Sequence, residues 1–352
     1  MDARPSAAPR RGPNHLIAPL ILLLAVVLAA CSGAAAPSAS SVASVAASSP
    51  VATAVPTPSP SPTPSPTAAA VAYPITLTDD EGTSVTIPNE PRKIVSLTPA
   101  ATETLFALGL GDRVVGKVED FNLYPPEAAS VPDVAKFGSV DVEKIVGMGT
   151  DLVIAGGSNF NPPEAIEKLR SLGIPTVVIF APDLDTALSD MQLIGTATGT
   201  SGKAEALTAS IKQDFAEVKT ATADLPKPRV FYELDASSGF FGPAPDYFGT
   251  GMIKTAGGDP LTSGTNGVYQ IEAEQIIGFN PEVVLLGDAA YGVTPDQVAA
   301  RPGWGVLAAV KDGGVRPIDD VVVTRPGPRL GEGIRALALA IHPDLVLPSP
   351  AP

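Results

Sequence analysis

The side chains that most often carry out catalysis are scarce in this sequence of 352 residues. It holds two histidines, His15 and His342, and one cysteine, Cys31. A zinc site, a Ser-His-Asp triad or a cysteine nucleophile needs more of these residues than the chain offers. The adjacent carboxylates at Asp79–Asp80 and Asp319–Asp320 could serve a carboxylate mechanism, but such pairs are more often solvated turn residues. We therefore predict that the chain is not an enzyme, with no catalytic residue and no metal site.

Aromatic residues gather instead in loops that follow predicted strands. In open α/β sheets, ligands bind outside the carboxyl ends of the strands, so these loops are placed to line a cleft. For any single residue, packing within its own loop is the commoner role. Taken together they predict an apolar cleft with a few polar groups, as in many small-molecule sites. The residues concerned are Phe121, Tyr124, Phe137, Phe160, Phe240, Phe241, Tyr247, Tyr269, Tyr291 and Trp304.

A segment of 17 residues occurs twice and indicates how these loops are carried. Asp141 to Gly157, DVEKIVGMGTDLVIAGG, returns 131 residues later as Glu272 to Asp288, EAEQIIGFNPEVVLLGD, with five identities and no gap. Each copy is predicted to form a short helix, a glycine-containing turn and a buried strand. A single recurrence at this distance predicts two similar lobes, since a solenoid needs three or more repeats at a shorter period.

Strands alternate with helices on both sides of a long helical stretch, which predicts parallel sheets covered on both faces. The predicted fold is α/β, with two Rossmann-like lobes of mostly parallel sheets joined by a single long helical connector. The N-terminal lobe is assigned to residues 73–182, the connector to 183–226, the C-terminal lobe to 227–345 and a tail to 346–352. A hairpin is predicted at ITLTDDEGTSVTIP, where two alternating runs flank a turn.

The first 72 residues belong to neither lobe. Basic residues, an apolar run from Leu16 to Ala30 and small residues at a cut site predict a secretory signal over residues 1–30. The sequence Leu-Ala-Ala-Cys ending at Cys31 is similar to a bacterial lipobox, in which the thiol is acylated; an uncleaved anchor helix is the alternative. Residues 32–72, without a charge and rich in Ser, Ala, Pro and Thr, predict a disordered tether from Cys31 to the lobes.

The charge of the chain limits its partners. Without residues 1–30, which contain three basic and one acidic residue, 20 Lys+Arg remain against 36 Asp+Glu, a formal charge of −16. Nucleic acids and anionic membrane surfaces favour basic patches, so neither is predicted to bind. The expected location is outside the cytoplasm, anchored by lipid to the outer face of the cytoplasmic membrane. A lipid-anchored hydrolase is kept as a distant alternative.

From about Ile94 to Pro343, the chain resembles the class III solute-binding proteins of ABC importers, the vitamin B12, ferric siderophore and haem group. The resemblance rests on IVSLTPAATETLFALGLGDRVVG, YPPEA, both copies of the repeated segment, RPGW, RPGPR and a terminal HP. It implies two α/β lobes that bind a transported small molecule between them, in a monomer without a cofactor of its own. The implied partner is an ABC permease dimer.

The resemblance also implies a role for one residue in each copy of the repeat. In this family an acidic residue on each lobe docks into a basic pocket of the permease, and the match places these acids at Glu143 and Glu274. The alternative is a local one, because each acid lies in the first turn of a predicted helix. There the helix dipole favours a carboxylate by roughly 0.3–1 kcal/mol.

For the ligand, the resemblance implies cobalamin or a related corrinoid. The positions that match aromatic and polar ligand contacts of B12 binders are Phe121, Phe137, Phe240, Phe241, Tyr269, Asp320 and Arg325. One departure is the pair Gly156–Gly157, where some B12 binders carry Trp. A ferric siderophore is the second candidate and favours an arginine edge such as Arg325/Arg329. Haem is the third and, without a suitable His, needs a tyrosine such as Tyr247 or Tyr269.

Overall fold

The N-terminal lobe is built on a six-stranded sheet. This computed structural model describes residues 72–158, 160–265 and 267–349, so the predicted signal, Cys31 and nearly all of the tether lie outside it. The elements of the lobe are β1 (Ile75–Thr78), β2 (Ser84–Ile87), β3 (Ile94–Ser96), α1 (Pro99–Ala107), β4 (Val114–Val118), β5 (Asp133–Lys136), β6 (Ser139–Val140), α2 (Val142–Gly147), β7 (Leu152–Gly156), α3 (Pro163–Ser171) and β8 (Thr176–Ile179). The strand order is β6-β5-β4-β3-β7-β8, parallel except between β5 and β6. The predicted hairpin is confirmed as β1 paired with β2.

Neighbouring residues of the central strands face opposite sides of this sheet, as strand geometry requires. Ile94 and Ile154 pack with Leu105 of α1 on one face. On the other face, the cluster of Val95, Val153 and Val178 packs with Ile145 of α2 and Leu169 of α3. Continuous apolar strands are therefore explained by burial on both faces, the usual condition of parallel sheets.

The connector consists of two helices, α4 (Leu184–Ala197) and α5 (Ser201–Thr222), rather than the single long one predicted. Gly199 separates them with φ +75°, a left-handed conformation that glycine adopts without strain. The side chain of Thr198 helps to end α4 by donating a hydrogen bond to the carbonyl of Ile194, at 2.7 Å.

Both connector helices belong to the cores of both lobes. Met191 of α4 packs in the C-terminal core and Ala197, nearer its end, packs in the N-terminal core. The order reverses along α5, where Ala204 packs in the N-terminal core and Phe215 in the C-terminal core. The helices therefore form a hairpin that is packed into both lobes.

The C-terminal lobe contains a four-stranded parallel sheet of order β11-β9-β13-β14 and a separate antiparallel pair, β10 and β12. Its elements are β9 (Arg229–Glu233), β10 (Phe240–Pro243), α6 (Phe248–Thr255), β11 (Asp259–Pro260), β12 (Val268–Ile271), α7 (Ala273–Phe279), β13 (Val283–Leu286), α8 (Pro295–Ala299), α9 (Ala308–Lys311), β14 (Val315–Pro317), α10 (Asp320–Thr324) and α11 (Leu330–Ile341). The α/β class and the two lobes are thus as predicted. No helix in the described part of the chain is long and apolar enough to cross a membrane.

Asp190 is a buried acid on the first helix of the connector. It lies on α4 with 4% of its surface exposed. Burial, together with the nearby Asp80, raises the pKa of its carboxyl to about 8. Between about pH 4 and about pH 8, the Asp190 carboxyl is protonated in the folded protein but ionised in the unfolded chain, where its pKa has the ordinary value of 3.8. The free energy of unfolding therefore falls as the pH rises from about 4 to about 8.

We expect Asp190→Asn to raise the melting temperature at about pH 7.5, because the amide needs no proton and can still donate to Asp80. The gain should shrink as the pH falls towards 4 and vanish below the ordinary pKa of 3.8, where the wild-type carboxyl is protonated in both states. Asp185→Asn, on the exposed side of the same helix, is the matched control and should change the melting temperature little. Equal melting temperatures for wild type and Asp190→Asn at pH 7.5 would contradict this account.

Candidate functional site

A pocket of about 390 Å³ lies where strands of both lobes end. The N-terminal lobe contributes Asn122 from the loop after β4. The C-terminal lobe contributes the segment after β13 and the segment between β14 and α10. Carboxyl ends of parallel strands are the usual place for ligands in this class of fold. The pocket is lined by Asn122, Gly287, Ala289, Ala290, Tyr291, Ile318, Asp319, Asp320 and Val321.

Carboxylates form one wall of this pocket. Asp319 begins α10, accepting a hydrogen bond from the amide of Val322 at 3.2 Å, while its side chain stays exposed. Asp320 is half-buried and accepts a hydrogen bond from the Tyr232 hydroxyl. Burial raises the pKa of Asp320, and the hydrogen bond from Tyr232 opposes that rise. Burial also raises the pKa of Tyr232 well above its ordinary value, so the hydroxyl keeps its proton and remains the donor.

A second buried ionic group lies behind this wall. Glu233 is fully buried at the end of β9. Its carboxylate accepts hydrogen bonds from both terminal nitrogens of the Arg301 guanidinium, at 2.5 and 2.7 Å. The same guanidinium lies 4.6 Å from the ring centre of Trp304 and 5.1 Å from that of Phe240. Asp288 is buried beside Glu233, and burial raises the pKa of its carboxyl to about 6. Arg301 is therefore neutralised by Glu233 and held between two aromatic rings.

The predicted aromatic contacts divide into exposed and packed residues. Phe121, in the loop after β4, is 92% exposed next to the pocket residue Asn122. Phe240 packs against Trp304, with 4.9 Å between ring centres, and so belongs partly to the C-terminal core. Phe241 follows it on β10 and is half-buried. Tyr269 lies on the paired strand β12, with its hydroxyl donating to the carbonyl of Thr265.

The glycine at position 156 is explained by neighbouring side chains. A Cβ at Gly156 would come within 2.6 Å of Thr98 and 2.9 Å of Phe160, so these side chains leave no room for one, whereas a Cβ at Gly157 would lie no closer than 3.7 Å to Phe180. Phe160 occupies that space and packs edge-on against the predicted contact Phe137, with 6.4 Å between ring centres. This part of the N-terminal lobe therefore presents two partly exposed aromatic rings, although it lacks a residue matching the Trp.

Arg325 lies in an ion-pair cluster that joins the lobes. It contacts Glu103 of α1 at 2.7 Å and Asp120 of the loop after β4 at 2.9 and 3.1 Å. Arg329 binds both oxygens of the same Glu103, at 2.9 and 2.7 Å. Sequence reasoning identified the two arginines but missed their acids. The available signal was Glu103 itself, a lone acid in an otherwise uncharged helix.

The two acids predicted to dock are exposed and unpaired. Glu143 on α2 and Glu274 on α7 make no ion pair within the described residues. Neither is needed as a helix cap, because Asp141 caps α2 through the amide of Lys144, at 2.9 Å. At α7, Glu272 forms a capping box with Gln275. The only local role left for these two acids is their favourable interaction with the dipole of their own helix.

Two α/β lobes, a shared helical hairpin and a pocket at the strand ends define a two-lobed ligand-binding protein. Among the described residues, no group of His, Cys, Asp and Glu side chains is placed to hold a metal ion. Residues 94–322 match the periplasmic binding protein family, and the chain belongs to that family.

The chain is similar over most of its length to two relatives and to one solved structure. The chain is 35% identical to the uncharacterised ABC transporter substrate-binding lipoprotein YvrC of Bacillus subtilis, over 77% of this chain and 87% of the relative. It is 30% identical to a cobalamin-binding protein of Halobacterium salinarum, over 78% and 75%. The periplasmic haem-binding protein RhuT of Roseiflexus superposes with a TM-score of 0.63 at 26% identity, over 72% and 98%.

These findings confirm the predicted class. The chain is an extracytoplasmic substrate-binding protein of the ABC importer type and not an enzyme, since its relatives are binding proteins of transporters. The lipid-anchored hydrolase is thereby set aside. The similar proteins differ in their ligands, cobalamin for one and haem for another, so the likeness does not decide between these two ligands.

Proposed function

We propose that this protein captures cobalamin or a related corrinoid in the cleft between its lobes and delivers it to an ABC permease. The observation that carries the choice of ligand is the charge of the cleft. Its wall bears Asp319 and Asp320, whereas Arg301, Arg325 and Arg329 are each paired with an acid of this chain. A corrinoid carries many carboxamide groups, whose N–H donors suit carboxylate acceptors.

The same charges disfavour the other ligands. Haem carries two propionates and many ferric siderophores are anionic, so both gain from unpaired arginines. The arginines next to this cleft already have carboxylate partners, and releasing one would leave a buried acid unpaired. That separation costs roughly 3–5 kcal/mol for a buried pair. Anionic ligands would also meet Asp319 and Asp320 directly.

Exposed rings supply the apolar part of the site. Phe121, next to the pocket residue Asn122, is 92% exposed, and Tyr291, which lines the pocket, is 83% exposed. Large planar ligands are held well by rigid aromatic faces with polar groups at their edges. We therefore assign ligand contact to Phe121, Asn122, Tyr291, Asp319 and Asp320. Phe137, Phe241 and Tyr269 stay in the proposed set as outer contacts, and Phe240 supports them from the core.

We expect the full-length protein to bind cyanocobalamin with a dissociation constant in the micromolar range or below. Phe121→Ala should weaken binding roughly tenfold, because loss of one aromatic anchor costs about 1–2 kcal/mol. Calorimetric titration with cyanocobalamin, haem and a ferric hydroxamate measures all three ligands on one preparation. Absence of corrinoid binding at micromolar concentration would reject this ligand.

Haem is placed ahead of a ferric siderophore as the second candidate, because an exposed tyrosine lines the pocket. Tyr269 donates its hydroxyl to Thr265, and burial raises the pKa of Tyr247 to about 12, which disfavours iron ligation by either. His342 is half-buried against Gly257. Tyr291, exposed in the pocket, is the better axial ligand. A shifted Soret band that is lost in Tyr291→Phe would favour haem over a corrinoid.

Delivery is assigned to the repeated helices. Glu143 and Glu274 occupy the same position of α2 and α7, one on each lobe, and both are exposed without an ion-pair partner among the described residues. A permease dimer with basic pockets would receive them symmetrically. Lipid on Cys31, which lies outside the described residues, would hold the protein at the membrane that contains the permease. Loss of palmitate labelling in Cys31→Ser tests that anchor.

We expect Glu143→Arg combined with Glu274→Arg to abolish stimulation of the transporter ATPase in proteoliposomes, because each change turns an attraction into a repulsion. Ligand affinity should stay at the wild-type value. The matched control is Glu164→Arg combined with Asp296→Arg, which reverses one exposed first-turn acid on each lobe outside the repeat. Full stimulation by the docking variant, or equal loss in the control, would contradict the assignment.

A further inference from the structure

The loop of residues 119–124 carries an exposed aromatic ring and a pocket-lining side chain on a short irregular segment. It follows β4, and its middle residues are the exposed Phe121 and the pocket residue Asn122. The amide of Asn122 donates to the Asp120 carboxylate at 3.0 Å, which shapes the turn locally. An exposed aromatic on a short loop needs further contacts if it is to hold one position.

Arg325 of the other lobe contacts the beginning of this loop. Its two terminal nitrogens bind the two oxygens of Asp120 at 2.9 and 3.1 Å, a bidentate pair. The Asp120 side chain is 8% exposed and that of Arg325 is 14% exposed. Paired forks of this kind fix direction as well as distance, which a single ammonium contact does not.

Arg329 contacts the end of the same loop. Its guanidinium lies 4.2 Å from the ring centre of Tyr124, within the range of a cation–π contact. The guanidinium is itself fixed, because its Nε and a terminal nitrogen bind the two oxygens of Glu103. The loop is therefore contacted at both ends by arginines that belong to the opposite lobe.

Glu103 is the common partner of the two arginines. Its side chain is 1% exposed, and both Arg325 and Arg329 form ion pairs with it. A carboxylate so deeply buried is tolerated only with close partners. The four side chains carry two positive and two negative charges, so the cluster is neutral and offers no charge to an anionic ligand.

We propose that Arg325 and Arg329 are positioning residues, which hold the loop 119–124 of the opposite lobe in its ligand-binding place and do not themselves contact the ligand. This assignment, which rests on the proposed function, replaces the ligand contact that the sequence predicted for Arg325. The apparent affinity of a site is reduced by the fraction of molecules in the competent conformation. A substitution that lowers the fraction of molecules with the loop in its binding position should therefore raise the dissociation constant by the same factor.

The test is Arg325→Met in the full-length protein, read by hydrogen exchange of residues 119–124 without ligand and by cyanocobalamin titration. We expect roughly tenfold faster exchange of the loop amides and an equal, roughly tenfold rise in the dissociation constant. Tyr124→Leu, which loosens the other end at an exposed position, should act in the same direction. It also keeps the test decisive if Arg325→Met folds poorly.

Arg335→Met is the matched control. Arg335 is 11% exposed and pairs with Asp214 and Glu217 of α5, away from the cleft. It should change neither loop exchange nor affinity.

Two outcomes would overturn the proposal. Weaker binding by Arg325→Met with wild-type loop exchange would make Arg325 a direct ligand contact, and unchanged exchange and affinity would make the cluster irrelevant to the loop. If the wild-type protein binds no corrinoid, the proposed ligand fails, but loop exchange still decides whether the arginines hold the loop.

Discussion

The arrangement of the two lobes depends on a single buried carboxylate. Glu103 belongs to the N-terminal lobe and both of its arginine partners belong to the C-terminal lobe. Buried ion pairs add little net stability, because desolvation offsets much of the attraction. Their effect is selective, since another close packing of the lobes would bury at least one of these charges without its partner. The cluster therefore specifies the arrangement of the cleft edge seen in this structure.

The helical hairpin of α4 and α5 also restricts how far the two lobes can rotate relative to each other. Because α4 and α5 each contribute side chains to both cores, a large rotation of the lobes would have to disturb packed residues such as Met191 and Phe215. Packed cores transmit strain and deform little. Recognition is thus left to the loops at the strand ends, where the exposed rings of Phe121 and Tyr291 lie. Recognition by loops on a stiff frame suits a large and rigid ligand.

The long periodic elements were accessible from the sequence, and the short ones were not. The hairpin at 75–87, α3 and β8 follow from alternation and helical spacing, which are strong over several residues. Strands β5 and β6 have four and two residues, with charged ends on β5, and give no such pattern. The break in the connector was visible as a glycine within TATGTSG but was outweighed by the helical residues around it.

The sequence indicated where exposed rings could lie better than which side chains pair. Phe121 and Tyr291 are exposed after strands, where topology brings strand ends together. Phe240, Phe241 and Tyr269 instead lie on the paired strands β10 and β12, and Trp304 is fully buried. The partner of Arg325 could not be found this way, since Glu103 is 222 residues away in sequence. A lone arginine at a cleft edge suggests an anion in the ligand. Only the fold shows that the anion belongs to the protein.

The repeated segment separates what serves the fold from what serves a partner. Its apolar positions are explained by burial in the two cores, as with Ile145 and Ile276. Its helix caps are supplied differently, by Asp141 in one copy and by a capping box in the other. The glutamate two residues further on is the same in both copies, although neither helix needs it as a cap. An exposed acid that occurs in register on both lobes, without a local partner, is best explained by a symmetric surface outside the chain.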